Sequence, residues 1–130
     1  MSITERDFIL RAIQQIGQSL ARIAGLRRSG KADVALMETQ QTSGSILGPM
    51  ASMVERLDPS SAVMLLAEPK KIRAYGLLVA ERSAVHEALG DTAAAQRDRV
   101  RAIEILAQWM KKTGTLDDDV RTAIEQLRDA

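Results

Sequence analysis

The sequence predicts an all-α protein, a helical bundle of about six helices with no strands, and three observations carry that expectation. Apolar residues recur at intervals of three and four along most of the chain, and no useful length alternates with period two. The breaks between periodic segments fall at Gly or Pro. With one Trp, one Tyr and one Phe in 130 residues, the core must be built from Leu, Ile, Val, Ala and Met, which suits close helix-on-helix packing better than a β-sandwich.

In chain order, Ser2 and Glu5 have the spacing of a helix N-terminal capping box, and Ile9, Ile13, Ile16, Leu20 and Ile23 form the stripe of an amphipathic helix behind them. Gly30 supplies the left-handed residue that ends it. A second helix restarts near Lys31, with Ala32, Ala35, Leu36 and Thr39 on one side. It weakens at Thr42-Ser43-Gly44 and is interrupted at Gly48-Pro49. Pro49 then opens a short helix carrying Met50, Met53, Val54 and Leu57. "LDPSS" opens another, with Asp58 as cap and Pro59 in the first turn.

Pro69 opens a long helix with Ile72, Tyr75, Gly76, Val79, Ala80 and Ser83 at helical spacing, stopping at Gly90. The next, from about Thr92 to Lys112, has Ile103, Leu106 and Met110 on one stripe and Ala102, Ile105 and Trp109 on the adjoining one; Gly114 ends it. In the last helix Asp117, Asp118 and Asp119 favour the positive end of the dipole. The expected organisation is one domain over 1–130, made of an N-terminal hairpin (1–48), short connecting helices (49–68), a second hairpin (69–112) and a C-terminal helix (115–130).

The segment 76–106 resembles a tetratricopeptide repeat. Small Ser83 lies where such repeats let two helices approach closely, Gly90 and Asp91 make the turn, and Ala95 and Ala102 match the small positions of the second helix. Arg82 and Arg99 depart from the pattern, standing where such repeats are usually apolar. The stretch around Gly30 is a partial second match, but it lies 60 residues before Gly90 rather than at the usual period of about 34. Two imperfect units imply a compact bundle rather than a solenoid. "DFILRAIQQIGQSLARI" from residue 7 and "LLAEPKKIRAYGLLVAERSAVHEALGD" from residue 65 also resemble an uncharacterised family of short bacterial all-helical proteins with a tetratricopeptide-like C-terminal half. That family implies a fold and no activity.

Few residues suggest chemistry. No cysteine is present, which excludes disulfides, thiol nucleophiles and zinc thiolate sites and fits a reducing cytoplasm. His86 is the only histidine, with no nucleophile or partner carboxylate placed beside it by the sequence, so it reads as a half-buried residue at a helix end. "DDD" at 117–119 lacks the Gly turn and distal Glu of a calcium loop and reads as a helix cap. "SGK" at 29–31 lacks the rest of a phosphate loop. Met50, Met53 and Met64 read as gap-fillers of an aromatic-poor core. No catalytic, cofactor-binding or metal-ligating residue is expected, and neither a small-molecule substrate nor a membrane span.

The basic clusters Arg27-Arg28-Lys31, Lys70-Lys71-Arg73, Arg97-Arg99-Arg101 and Lys111-Lys112 could form a nucleic-acid stripe. The net charge is only +1, no stacking aromatics lie near them, and Glu104 one turn from Arg101 suggests a local ion pair, so nucleic-acid binding is the alternative. The preferred expectation is a non-enzymatic protein-interaction or self-association module; an enzyme is the remote reading. Two surfaces are candidates. One is the first-helix face of the second hairpin: Leu77, Ala80 and Ala84, with Glu87. The other is a seam on the first helix, Leu10, Gly17 and Ala24 at seven-residue spacing with Ala21 nearby, expected to pair two copies into a homodimer.

Overall fold

The computed structural model describes residues 3–129, with side chains described for residue 7 and from residue 10 onward. Its regular elements are α1 (Ile3–Arg28), α2 (Ala32–Leu47), a 3₁₀ turn (Gly48–Met50), α3 (Ala51–Arg56), α4 (Pro59–Leu66), α5 (Pro69–Ala88), α6 (Thr92–Thr113) and α7 (Asp118–Asp129). The five long helices carry the architecture and α3 and α4 are short connectors; no strand occurs among the described residues. The chain is an all-α bundle. Ser2 and the side chains of Glu5 and Ile9, which entered the sequence reading of the first helix, lie outside the described residues.

Two hairpins turn in the same way. Gly30 and Gly90 adopt φ of 80° and 81°, a conformation that costs an L side chain dearly. In the first turn the amide of Gly30 donates to the Arg27 carbonyl and that of Lys31 to the Leu26 carbonyl. In the second, Gly90 donates to Glu87 and Asp91 to His86. Both are Schellman closures, which satisfy the carbonyls a helix end would otherwise leave bare. They differ at the start of the second helix: the Asp91 carboxylate caps α6 through the Ala94 amide at 3.1 Å, whereas Lys31 gives α2 no side-chain cap.

Packing follows from composition. α5 touches α1, α2, α4, α6 and α7, and its buried residues Ile72, Tyr75, Leu78, Val79 and Val85 point in several directions around its axis. Its contact with α6 is the most extensive in the molecule. Gly76 explains the closeness: a Cβ there would lie 2.6 Å from Leu106 Cδ2 and 3.2 Å from Ile105 Cγ2. One turn beyond Val79, the buried Ser83 hydroxyl donates to the Ala95 carbonyl at 2.8 Å, a bond that only a small side chain between close helices can make. α2 lies against both α1 and α5, and α7 against both α5 and α6. The 60-residue interval between the two turns has a plain cause: between α2 and α5 the chain detours through the 3₁₀ turn, α3 and α4, which pack on α2 and α6.

Local differences from the sequence reading have physical reasons. α2 does not fail at Thr42-Ser43-Gly44 but continues to Leu47, because Thr42, Ser43, Ile46 and Leu47 are all buried and tertiary contact overrides weak propensity. Pro49 opens a 3₁₀ turn, and α3 proper begins at Ala51. Met50 packs on the core, but Met53 and Met64 are 51% and 80% exposed and are not the core fillers expected of them. Asp58 caps α4 through the Ser61 amide, and Asp117 caps α7 through the Val120 amide at 2.9 Å, as expected of both.

Between α4 and α5 the chain makes a γ-turn centred on Ala67, whose φ is 62° and ψ −50°, with the Glu68 amide donating to the Leu66 carbonyl at 2.6 Å. This is the strained sense of the γ-turn for an L residue. Replacing Ala67 by Gly is therefore expected to stabilise the protein by about 0.5–1 kcal/mol, a modest rise in the urea midpoint at unchanged slope. Gly76→Val is expected to do the opposite, by about 2 kcal/mol, through overpacking against Leu106 and Ile105. An unchanged midpoint for Gly76→Val would contradict the close α5–α6 contact.

Candidate functional site

Three helices frame a groove. α5 forms its floor with Leu77, Ala80 and Ala84; α1 forms one wall with Gly17 and Leu20, and α7 the other with Ala123 and Leu127. The volume is about 350 Å³. The groove exists because α1 and α7 pack on opposite flanks of α5 without packing broadly on each other. Small apolar side chains predominate along its middle, with Gln126 on the α7 wall. Its charges are an Arg27–Glu81 pair partway along, where Arg27 of α1 donates from Nε to Glu81 Oε1 at 2.7 Å, Glu87 at one end, and at the other Arg73 of α5, which reaches Asp117 at 2.7 Å and Asp119 at 3.4 Å at the start of α7. Hydrogen bonding from Arg73 holds the Asp117 carboxyl below its usual range, with the Val120 amide adding to the effect. Arg73 also lies over the Trp109 ring, 5.9 Å from its centroid.

Four of the seven sequence-predicted surface residues meet here: Gly17, Leu77, Ala80 and Ala84, with Glu87 at the end of the same face. Leu10 and Ala21 do not line the groove. They lie on the solvent side of α1, Leu10 being 45% exposed, and Ala24 is half-buried. The connecting helices that could have covered this seam pack instead on α2 and α6.

A second cluster, which the sequence reading did not assemble, lies between α3, α5 and α6. Arg82 forks between two carboxylates. Nη1 and Nη2 reach Glu55 at 2.9 and 3.1 Å, and Nε and Nη2 reach Asp98 at 2.8 and 3.0 Å. The Arg82 and Asp98 side chains are only 17% and 11% exposed. Burial works against the charge on Arg82, but its hydrogen bonds to Asp98 and Glu55 outweigh it and raise its pKa. Burial likewise pushes Glu55 up, and the Arg82 pairing more than reverses this, so the carboxyl titrates below its ordinary value. Burial, with the Glu55 charge beside it, pushes the Tyr75 phenol up to about 12. Arg101 does not pair with Glu104. It turns inward to the Tyr75 hydroxyl at 3.0 Å and to the carbonyls of Leu57 and Val54 at 2.6 and 2.8 Å, at the C-terminal end of α3.

His86 borders this cluster, half-buried, with Nε2 3.7 Å from Asp98 Oδ2. The sequence had placed no carboxylate beside it, and the fold does. That carboxylate is already held at both oxygens by Arg82. The basic clusters are likewise divided: Arg27, Arg73 and Arg101 are engaged within the chain, and Arg99 contacts Gln96. Among the described residues, no helix is long and apolar enough to cross a membrane, and no group of three His, Cys, Asp or Glu side chains is placed to hold a metal ion.

Comparison with protein-family models, curated proteins and solved structures found no match, so the groove and the cluster are read from their own geometry.

The cluster generates a stability prediction. Arg82→Met strands the buried Asp98 and the half-buried Glu55 carboxylates and is expected to cost about 3 kcal/mol near neutral pH. The depressed Glu55 pKa contributes stability that is present above the unfolded value of about 4.3 and lost as pH falls through the folded value. In Arg82→Met the stranded carboxylates instead gain from protonation. The stability gap between the two proteins should therefore narrow as pH falls from about 6 to about 3. A gap that widens over that interval in urea titrations contradicts the assignment. His86→Gln is expected to change stability by less than about 1 kcal/mol.

Proposed function

We propose that this chain is a non-enzymatic helical interaction module, tetratricopeptide-like in its stacked hairpins, that holds a protein partner in the groove between α1, α5 and α7. The observation that carries the reading is the convergence of Gly17, Leu20, Leu77, Ala80, Ala84 and Ala123 on one concave, solvent-open surface. Small apolar side chains on a concave face let another main chain come close and exclude water over a large contact. The packing order supports the comparison with stacked repeats, since α5 lies on both helices of the first hairpin and α7 on both helices of the second. The absence of cysteine is compatible with work in a reducing cytoplasm.

Self-association is the second reading, and the exposure of Leu10 and Ala21 favours it. A homodimer built on the α1 seam places Gly17, at the lip of the groove, near the two-fold axis.

A photo-crosslinking side chain placed at Ala84 tests both. The expected result is an adduct to a defined protein in the source cells, lost when the same group is placed at Ala107 on the exposed side of α6. An adduct of about twice the 14.2 kDa chain mass identifies self-pairing. Equal labelling from both positions contradicts the groove as the docking surface.

A further inference from the structure

We propose that the groove's occupant is an amphipathic helix of a partner protein whose apolar face is bracketed by basic residues about fourteen positions apart. The inference rests on reading the groove as a docking surface and adds the chemistry of the partner. Gly17, Leu77, Ala80 and Ala84 line the middle of the groove, and its polar groups there are few: the Ser83 hydroxyl is given to the Ala95 carbonyl, Arg27 and Glu81 are given to each other, and Gln126 stands on the α7 wall. An extended peptide laid there would lose water from its own amides and carbonyls along its whole length and find too few partners to replace it. A helix brings its main chain already satisfied, so the floor selects a helix. Small side chains beneath it allow the same kind of close approach that Gly76 allows between α5 and α6.

Charge decides the rest. Partway along the groove Arg27 and Glu81 neutralise each other, and at the far end Glu87 is exposed and in no ion pair among the described residues. At the other, the single guanidinium of Arg73 is shared by Asp117 and Asp119, and Asp119 is 84% exposed. One end therefore carries the unpaired Glu87 carboxylate and the other two carboxylates against one arginine, so each has an excess of one negative charge. Arg73 and Glu87 are fourteen residues apart on α5, about 21 Å at the helical rise. A helix lying along α5 meets both ends if its own cations are separated by the same number of residues. The complement of this groove is a Lys or Arg, an apolar stripe of nearly four turns, and a second Lys or Arg.

The test uses the full chain and two synthetic helical peptides of about eighteen residues with the same Ala and Leu face. One carries Lys at both ends, fourteen residues apart, and the other Glu at the same places. Titration followed by amide NMR is expected to move Gly17, Ala80 and Ala84 with the Lys peptide, with affinity falling as salt rises. The Glu peptide is expected to bind at least about tenfold more weakly, and the double variant Glu87→Lys, Asp119→Lys to reverse that preference. Equal affinity for the two peptides overturns the charge assignment but leaves the groove reading to the Ala84 crosslink. Shifts confined to other helices, or no binding, overturn the proposal. Concentration-dependent shifts of the same residues without peptide put a second copy in the groove, and also overturn it.

Discussion

Gly76 has no side chain because Leu106 of α6 fills the space where one would be, and that contact fixes the axis from which every other long helix takes its place. Helices this close need small residues at the crossing, and α5 and α6 supply them at Gly76, Ser83, Ala95 and Ala102. Tight contact on one side of α5 leaves its remaining faces for α2 and α1 on one flank and α7 on the other. The groove is the consequence. Two walls stand on a shared floor because both pack on α5 and neither packs broadly on the other.

The polar cluster solves a separate problem. A hairpin stack with its repeat interrupted by residues 48–68 must hold the interruption down, and α3 has six residues, too few to be stable alone. Arg82 and Arg101 do this from α5 and α6. One pairs with the Glu55 side chain of α3, and the other caps its terminal carbonyls. Both arginines are half-buried, so their desolvation is offset only while every donor is matched. The Tyr75 hydroxyl, buried in the middle of α5, joins the two arginines into one network through Glu55 and Arg101.

Legibility in the sequence tracks the range of the interactions. The helices, and the ends marked by Gly or Asp, were readable because their signals are local: Gly30, Gly90 and Gly114 take positive φ, Asp58, Asp91 and Asp117 cap, and the apolar stripes have helical period. The inner face of α5 was readable for the same reason, since Leu77, Ala80 and Ala84 share a helical stripe. What the sequence could not supply was contact between distant segments. Arg82 showed only as a break in a repeat pattern; its partners lie 27 residues before it and 16 after. Arg101 had a nearer acid in Glu104, but the fold brings the Tyr75 hydroxyl and the last carbonyls of α3 to it together, and no local rule foresees that. Met53 and Met64 were read into the core on composition alone, whereas burial depends on which face of a short helix the detour turns outward.

If α5 and its contact with α6 are the frame of the molecule, they must be the last part to open. Native-state hydrogen exchange measures this directly, residue by residue. The account predicts that amides of α5 from Ile72 to Val85 and of α6 from Ala102 to Trp109 exchange only through global unfolding, with one shared free energy. It predicts that α3, α4 and α7 open at lower cost. Exchange of the α5 amides through an opening that leaves α1 and α2 protected would contradict it.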